Sequence, residues 1–256
     1  MSLPTSSVRI ENINSPNDST AEASTELQLV FRFSRSEAGH WQIKEVRTGE
    51  AHWESIEVLS VATKLDLTEN KCGTADELGR VKAQSDLSVK NARCLIANLF
   101  GVSLPSDSVR IKEVSGLGLG SEPSAVVESI VRADFRFVKD PSGWRVSEFR
   151  SGNRSWISLD SVPSAVDSLK RAKTNDDMNA IAAALEAFRR ARGAFVVAEK
   201  HSVLIDNLTP HYLRKVIRLD AWHRPYQYEG TADHFTLRSL GPDGKENTTD
   251  DIVVSR

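Results

Sequence analysis

The sequence lacks the features that place a protein in a membrane or on a nucleic acid. No apolar run approaches the ~20 residues that a membrane-spanning helix needs, and the first residues resemble no signal peptide. Its 33 basic and 35 acidic residues nearly cancel, which argues against nucleic acid as a partner. A cytoplasmic protein fits these absences. So does an extracytoplasmic one with a membrane segment outside this sequence, which we expect from the C-terminal resemblance described below.

Cysteine is also scarce. The two cysteines, Cys72 and Cys94, are too few for a disulfide scaffold and lack the spacing of a metal site. In an oxidising compartment we expect them to pair, with Cα atoms within ~7 Å. In a reducing compartment they would remain two thiols.

What the sequence does contain is an internal repeat. Three blocks recur in the same order, and Trp41 of the longest block returns 103 positions later as Trp144. The blocks are residues 8–10 and 109–111, residues 31–33 and 135–137, and residues 41–49 and 144–152, the last pair followed by Trp53 and Trp156. Such an order at one spacing indicates a duplicated domain. We therefore predict that Trp41 corresponds to Trp144 in the fold, and Trp53 to Trp156.

Each copy has the pattern of an α+β domain. Alternating apolar residues at 27–33 and 127–137 predict antiparallel strands, and apolar residues at helical spacing flank the second copy. We assign residues 4–80 to the first repeat domain, 84–164 to the second and 165–256 to a C-terminal domain. Helix plus curved antiparallel sheet resembles the NTF2-like or cystatin-like folds, which include both enzymes and binding modules.

A carboxylate and a guanidinium share strand parity in each copy: Glu45 with Arg47, and Glu148 with Arg150. One interpretation is a pocket lined by both groups. The other, which we prefer, is an ion pair that holds the sheet against its neighbour.

Motifs typical of catalytic sites are missing from the sequence. The histidines lack H-x-x-x-H spacing, and no G-x-S-x-G nucleophile motif occurs. The glycines at 116, 118 and 120 precede a strand rather than a helix, so they predict a flexible connection rather than a phosphate loop. We predict that the protein is not an enzyme.

The C-terminal third begins with an alanine-rich helix. Ile181, Leu185 and Phe188 lie on one face, Asp176 and Asp177 indicate an N-terminal turn, and Gly193 follows the helix. Residues 219–228 (LDAWHRPYQY) and 235–244 (FTLRSLGPDG) come next, and Asp250-Asp251-Ile252 lies near the end.

This order closely resembles the major pseudopilin of the type II secretion system, secretion protein G. In that family a long helix precedes a D-P-W-G-x-P-Y-x-Y segment, an S-x-G-x-D-G turn and a closing D-D-I. Ala221 and His223 stand where the family has proline and glycine. A duplicated domain also occupies the place of the family's N-terminal apolar helix.

The resemblance implies a calcium-binding loop. Calcium prefers carboxylate and carbonyl oxygens on an irregular loop, and Asp243, Asp250 and Asp251 supply carboxylates here. The family suggests the Leu240 carbonyl as a further ligand. A solvated acidic turn is the alternative.

We therefore expect a non-enzymatic protein of the periplasm or cell envelope with a calcium-stabilised head. Its partners would be other proteins, such as components of a secretion system or a pilus-like assembly. The alternative is a small-molecule binding module, or an enzyme, that uses cavities of the repeat domains.

Overall fold

A computed structural model describes residues 7–36, 39–50, 52–63, 72, 87–116, 122–198 and 200–256. The chain forms two compact units that divide between Pro163 and Ser164. The first unit combines one large antiparallel sheet with helices, and the second combines helices with a small antiparallel sheet. The fold class is α+β, as the sequence predicts.

In the first unit, the strands and helices form two similar series of four strands and one helix. The first series is β1 (Val8–Asn17), β2 (Thr20–Arg35), β3 (Trp41–Arg47), β4 (Trp53–Ser55) and α1 (Ile56–Thr63). The second is α2 (Val89–Phe100), β5 (Val109–Ser115), β6 (Ser124–Asp140), β7 (Gly143–Ser151) and β8 (Ile157–Ser158). Ser88 caps α2 by accepting a hydrogen bond from the Asn91 amide at 3.1 Å.

The two copies share one sheet, although the sequence suggests two separate domains. Strand order is β4-β3-β2-β6-β7-β8, with β1 also paired to β2 and β5 to β6. The long strands β2 and β6 pair without interruption from Thr20↔Val138 to Ser34↔Ser124. A single apolar core includes residues from both copies. The predicted boundary between residues 80 and 84 lies outside the described residues.

Strand register repeats between the copies. Phe31 pairs with Val46 and Phe135 with Phe149, and each hairpin has a bulge after its next pair, Arg32↔Glu45 and Arg136↔Glu148. Trp41 lies opposite Arg35, and Trp144 opposite Lys139, at matching positions of the two hairpins. A duplicated sequence predicts this correspondence, because equal spacing of bulges and apolar residues keeps the same side chains on the same face.

The predicted pairing of the cysteines is confirmed. Cys72 and Cys94 form a disulfide with a Cα–Cα distance of 5.7 Å. Cys94 lies on α2, so the bond attaches this helix to the segment that precedes it.

The second unit contains one long helix and a three-stranded sheet. The elements are α3 (Val162–Arg192), α4 (His201–Leu208), β9 (Gln227–Gly230), β10 (Phe235–Ser239) and β11 (Ile252–Ser255), with sheet order β11-β10-β9. Ile181 and Leu185 of α3 pack with Phe235 and Leu237 of β10 in a separate apolar core.

The interpretation of Asp176 and Asp177 as an N-terminal turn is wrong. Both lie inside α3, which runs without a break from Val162 to Arg192. The helical pattern after Trp156 and the alanine-rich pattern belong to one helix, because no glycine or proline separates them beyond the first turn. Gly193 follows the helix with a positive φ of 84°, as predicted.

None of the helices in the described part of the chain combines the length and the apolar character needed to span a bilayer.

The matching positions Phe31 and Phe135 provide a test of the shared core. Phe31 is fully buried and Phe135 is only half-buried. Phe31→Ala should lower the free energy of unfolding of the first unit by about 3–5 kcal/mol, and Phe135→Ala should cost clearly less. Urea denaturation followed by circular dichroism would measure both. Equal losses would contradict the unequal burial.

Candidate functional site

The loop between β10 and β11 brings together some of the predicted metal ligands. The Asp250 carboxylate accepts hydrogen bonds from the Asp243 amide (3.1 Å) and from the Thr248 hydroxyl (2.6 Å). Asp243 in turn accepts from the Lys245 amide (2.8 Å). The hydrogen bond from the Asp243 amide therefore holds Asp243 and Asp250 next to each other in the loop.

Oxygen acceptors outnumber hydrogens around Thr248. Its Oγ1 lies 2.6 Å from Asp250 Oδ1, 3.3 Å from the Lys245 carbonyl and 3.5 Å from Asp243 Oδ1. One hydroxyl has a single hydrogen and can satisfy only one of these three acceptors well. The hydrogen bond from Thr248 is the main cause that holds the pKa of Asp250 below its usual range, so this carboxylate stays ionised in mildly acidic solution.

Asp251 lies on the inner side of the same loop. Its side chain is only 8% exposed. One oxygen, Oδ2, accepts from the Asn247 amide (2.9 Å) and lies 3.9 Å from the Arg238 guanidinium, whereas Oδ1 is buried without a hydrogen-bond partner. An ionised oxygen buried in this way is costly unless a cation or donor reaches it.

The structure does not bring all the predicted ligands to one point. Within the described residues, no three carboxylate, imidazole or thiol side chains converge closely enough to hold a metal ion by themselves. The carboxylates of Asp250 and Asp251 have different partners: Asp250 bonds the Asp243 amide and the Thr248 hydroxyl, whereas Asp251 bonds the Asn247 amide. The Leu240 carbonyl accepts from the Gly244 amide at 3.2 Å. A complete ligand set therefore needs backbone carbonyls in addition to the aspartates.

A buried network joins this loop to the tryptophan segment. The Arg224 guanidinium donates to the Gly241 carbonyl and, at 3.0 Å, to the Pro242 carbonyl. Asp220 is buried and accepts from the amides of Trp222 and Arg224, both at 2.9 Å, and from the Ser239 hydroxyl at 2.6 Å. Asp220 and Arg224 were not among the residues predicted to shape the site. The signal that could have found them was Asp220 two residues before the tryptophan of the motif, a pattern typical of a side chain that bonds its own backbone.

The family comparison covers this region. The model of type II secretion system protein G matches residues 161–255. The type II secretion system core protein G of Pseudomonas aeruginosa is 34% identical over 102 residues, which is 35% of this chain and 71% of that protein. The chain belongs to the type II secretion system protein G family. No solved structure gives a significant match.

The protein G family consists of non-enzymatic components of the type II secretion system, which lies in the cell envelope. The matched range begins at the start of α3 and ends in β11. It therefore includes the second unit except for its last residue, Arg256. We call this unit the head. The predicted resemblance of this region to a pseudopilin is confirmed.

Three of the four charged residues singled out in the repeats, Glu45, Glu148 and Arg150, form ion pairs with other partners. Glu45 pairs with Arg32 rather than Arg47, Glu148 with Arg136 at 2.9 Å, and Arg150 with Asp134 at 2.7 Å. The predicted pairings are wrong because the nearest neighbour on a sheet face lies across the strand pair, not two residues along the strand. The preferred interpretation was an ion pair that holds the sheet against its neighbour, whereas the observed ion pairs join neighbouring strands within the sheet.

The face of the sheet that carries these ion pairs is its outer face. Two of the repeat tryptophans stack on arginines there. The Arg32 guanidinium lies 4.1 Å from the Trp53 ring centre, and Arg136 lies 4.0 Å from Trp156. A surface groove of about 700 Å³ in the first unit is lined mainly by α2 and the residues after it, and neither Glu45 nor Glu148 lines it. The contacts of these carboxylates are thus those of cross-strand pairs.

Burial of His201 should make the stability of the head depend on pH. The side chain is buried at the start of α4 beside Tyr226, with ring centres 5.4 Å apart, and its Nε2 has no hydrogen-bond partner. Burial, with a smaller effect of Arg218, lowers the pKa of His201 to about 4. The folded head therefore favours the neutral imidazole.

The pKa of His201 is lower in the folded head than in the unfolded chain. The stability that neutral His201 gives the head should therefore be fully present above pH ~6.5 and should fall as the pH decreases toward 4. The full difference between the two pKa values of His201 corresponds to a loss of about 3 kcal/mol in the free energy of unfolding. Urea unfolding of the head at several pH values would measure it. His201→Gln should flatten the profile in this window, whereas the exposed control His211→Gln should leave it unchanged. A His201→Gln profile as steep as that of the unaltered chain would contradict the assignment.

Proposed function

We propose that this protein is a non-enzymatic, extracytoplasmic component of a type II secretion or pseudopilus assembly. The observation behind the proposal is the protein G match over residues 161–255. The disulfide between Cys72 and Cys94 supports an oxidising compartment, where such bonds persist. In this proposal the head and the repeat unit act through contacts with other proteins.

We further propose that the loop after β10 binds one calcium ion. Asp243, Asp250 and Asp251 would provide carboxylate oxygens, and Leu240 a carbonyl oxygen. Three features support the proposal: the excess of acceptors around Thr248, the unpartnered buried oxygen of Asp251, and the absence of nitrogen or sulfur ligands among these residues. Oxygen-only ligation suits calcium.

In this proposal calcium would hold the two ends of the loop together. Asp243 is near its start, and Asp250 and Asp251 directly precede β11. Arg224 contacts the carbonyls of Gly241 and Pro242 at the same start. An ion bound between the ends would therefore also stabilise the tryptophan segment that contains Arg224.

Calcium should raise the melting temperature of the head within the whole chain. A ligand that binds only the folded state adds about 2.7 kcal/mol at a hundredfold excess over its Kd. Scanning calorimetry with calcium, with chelator and with magnesium would test this, and magnesium should substitute poorly because it requires a tighter octahedron.

Asp243→Ala should abolish the calcium effect. The matched control is Asp233→Ala, which removes an exposed carboxylate of the head outside the loop and should keep the effect. An unchanged melting temperature across chelator and millimolar calcium would remove the metal from this account, and the loop would be an ordinary acidic turn.

The secretion role predicts protein partners in the cell envelope. We expect site-specific photo-crosslinkers on exposed positions of the head, such as Val216 and Val253, to capture type II secretion components in cells of the source organism. Crosslinkers at buried Leu237 would serve as the matched control and should capture nothing. Recovery of no secretion component from the exposed positions would contradict the role.

A further inference from the structure

The eight-stranded sheet has a local two-fold symmetry. Leu27 pairs with Val131 near the middle of the β2–β6 ladder, and the pairs on either side of it are equivalent: Phe31↔Val127 on one side matches Ala23↔Phe135 on the other. The core side of the sheet therefore has two equivalent halves. The first half is formed by β5, the end of β2 and β3, and the second by β1, the end of β6 and β7.

The two halves differ sharply in exposure. Trp41 in the first half is 2% exposed, but its equivalent Trp144 in the second half is 48% exposed. Val109 lies beside Ser129 and is 6% exposed. In the other copy the equivalent Thr25 lies beside Ile10 rather than beside Val8, which matches Val109 in the sequence repeat, and Ile10 is 57% exposed. The contrast is smaller elsewhere: Phe135 and Phe137 are half-buried where Phe31 and Phe33 are fully buried, and Phe149 is buried like its equivalent Val46. The exposed and half-buried apolar residues of the second half, which we call the uncovered half, are Ile10, Ile13, Phe135, Phe137, Trp144 and Val146.

Helix α2 accounts for the burial of the first half. The helix packs against β5 and β3, and the Phe100 ring meets Phe31 edge-on with centres 6.2 Å apart. One face of α2 is buried along its length: Asn91, Ala92, Leu95, Ile96, Leu99 and Phe100. A helix with this apolar face is the element that fits this surface.

We propose that the uncovered half is a docking surface for an amphipathic helix of a partner protein, packed as α2 packs on the first half. The surface deepens the interaction role proposed above and rests on it, but it does not involve the calcium loop. The two proposals can therefore fail separately.

The positions of the uncovered residues on the sheet favour a helix, rather than an added strand, as the element that docks there. Ile13 lies on β1 at one margin, Phe135 lies on β6 in the middle, and Val146 lies on β7 beyond it. These side chains extend across several strands on one face, whereas an added strand would contact only the edge of the sheet. A contiguous apolar face of this kind on a soluble unit is typical of an interaction site.

A peptide with the sequence of residues 86–104, carrying Cys94→Ala, is a suitable probe because it already fits the equivalent half. The whole chain would be labelled with 5-fluorotryptophan, which gives one fluorine signal for each of its five tryptophans. Trp144→Phe would assign the signal of Trp144. Peptide would be added up to about 1 mM, since a segment that must fold on binding has reduced affinity.

The signal of Trp144 should move with added peptide and lose most of its solvent-isotope shift, while that of Trp53 on the opposite face should not change. Ile13→Ser should weaken this response at least several-fold. The control Val253→Ser changes an exposed valine of the head and should leave it unaltered.

Three results would overturn the proposal. The Trp144 signal could stay unchanged at the highest peptide concentration. It could already be shielded from solvent in the free chain. Or it could change with chain concentration alone, which would identify a second copy of the chain as the occupant.

Discussion

The pairing of β2 with β6 is the constraint on which the first unit depends. Each copy alone would have a small sheet with an open edge at its longest strand, which is a site of unwanted pairing. The ladder from Thr20 to Ser34 closes both edges at once. It also places the two apolar faces side by side, so that Phe31 and Val127 enter one core. Alternation along both strands then fixes which residues meet the helices and which form the ion pairs of the outer face.

Much of this fold could be predicted from the sequence, because its signals are local. The repeat positions of Trp41 and Trp144, the strands at 27–33 and 127–137 and the helices that flank the second copy all follow from the spacing of apolar residues. The pairing between copies could not be predicted, since alternation shows that a strand has a buried face but not which strand lies beside it. For the same reason Glu45 was assigned to Arg47, although its partner Arg32 is on the neighbouring strand. Trp144 is exposed and Trp41 is buried because the two halves of the sheet are covered differently. The residues around each tryptophan carry no signal of that difference.

In the head, the sequence predicted the motifs but not the contacts between them. Resemblance to the protein G family located the loop and its aspartates, and the family match confirms the region. The roles of Asp220 and Arg224 appear only when β10 and the loop are in place, because Ser239 and the Gly241 carbonyl are distant in sequence. Through these two residues the tryptophan segment and the loop form one hydrogen-bonded structure. Any ion held by the loop therefore acts on the segment as well.

We propose that calcium stabilises the head, and that the two-fold sheet of the first unit is a platform for protein contacts. Residue-resolved hydrogen exchange of the whole chain, with calcium and with chelator, tests this most directly. The account predicts that calcium slows exchange in residues 241–251 and in the segment around Asp220 and Arg224, and leaves β2 and β6 unchanged. Exchange that is the same in both conditions, or that slows equally in both units, would contradict it.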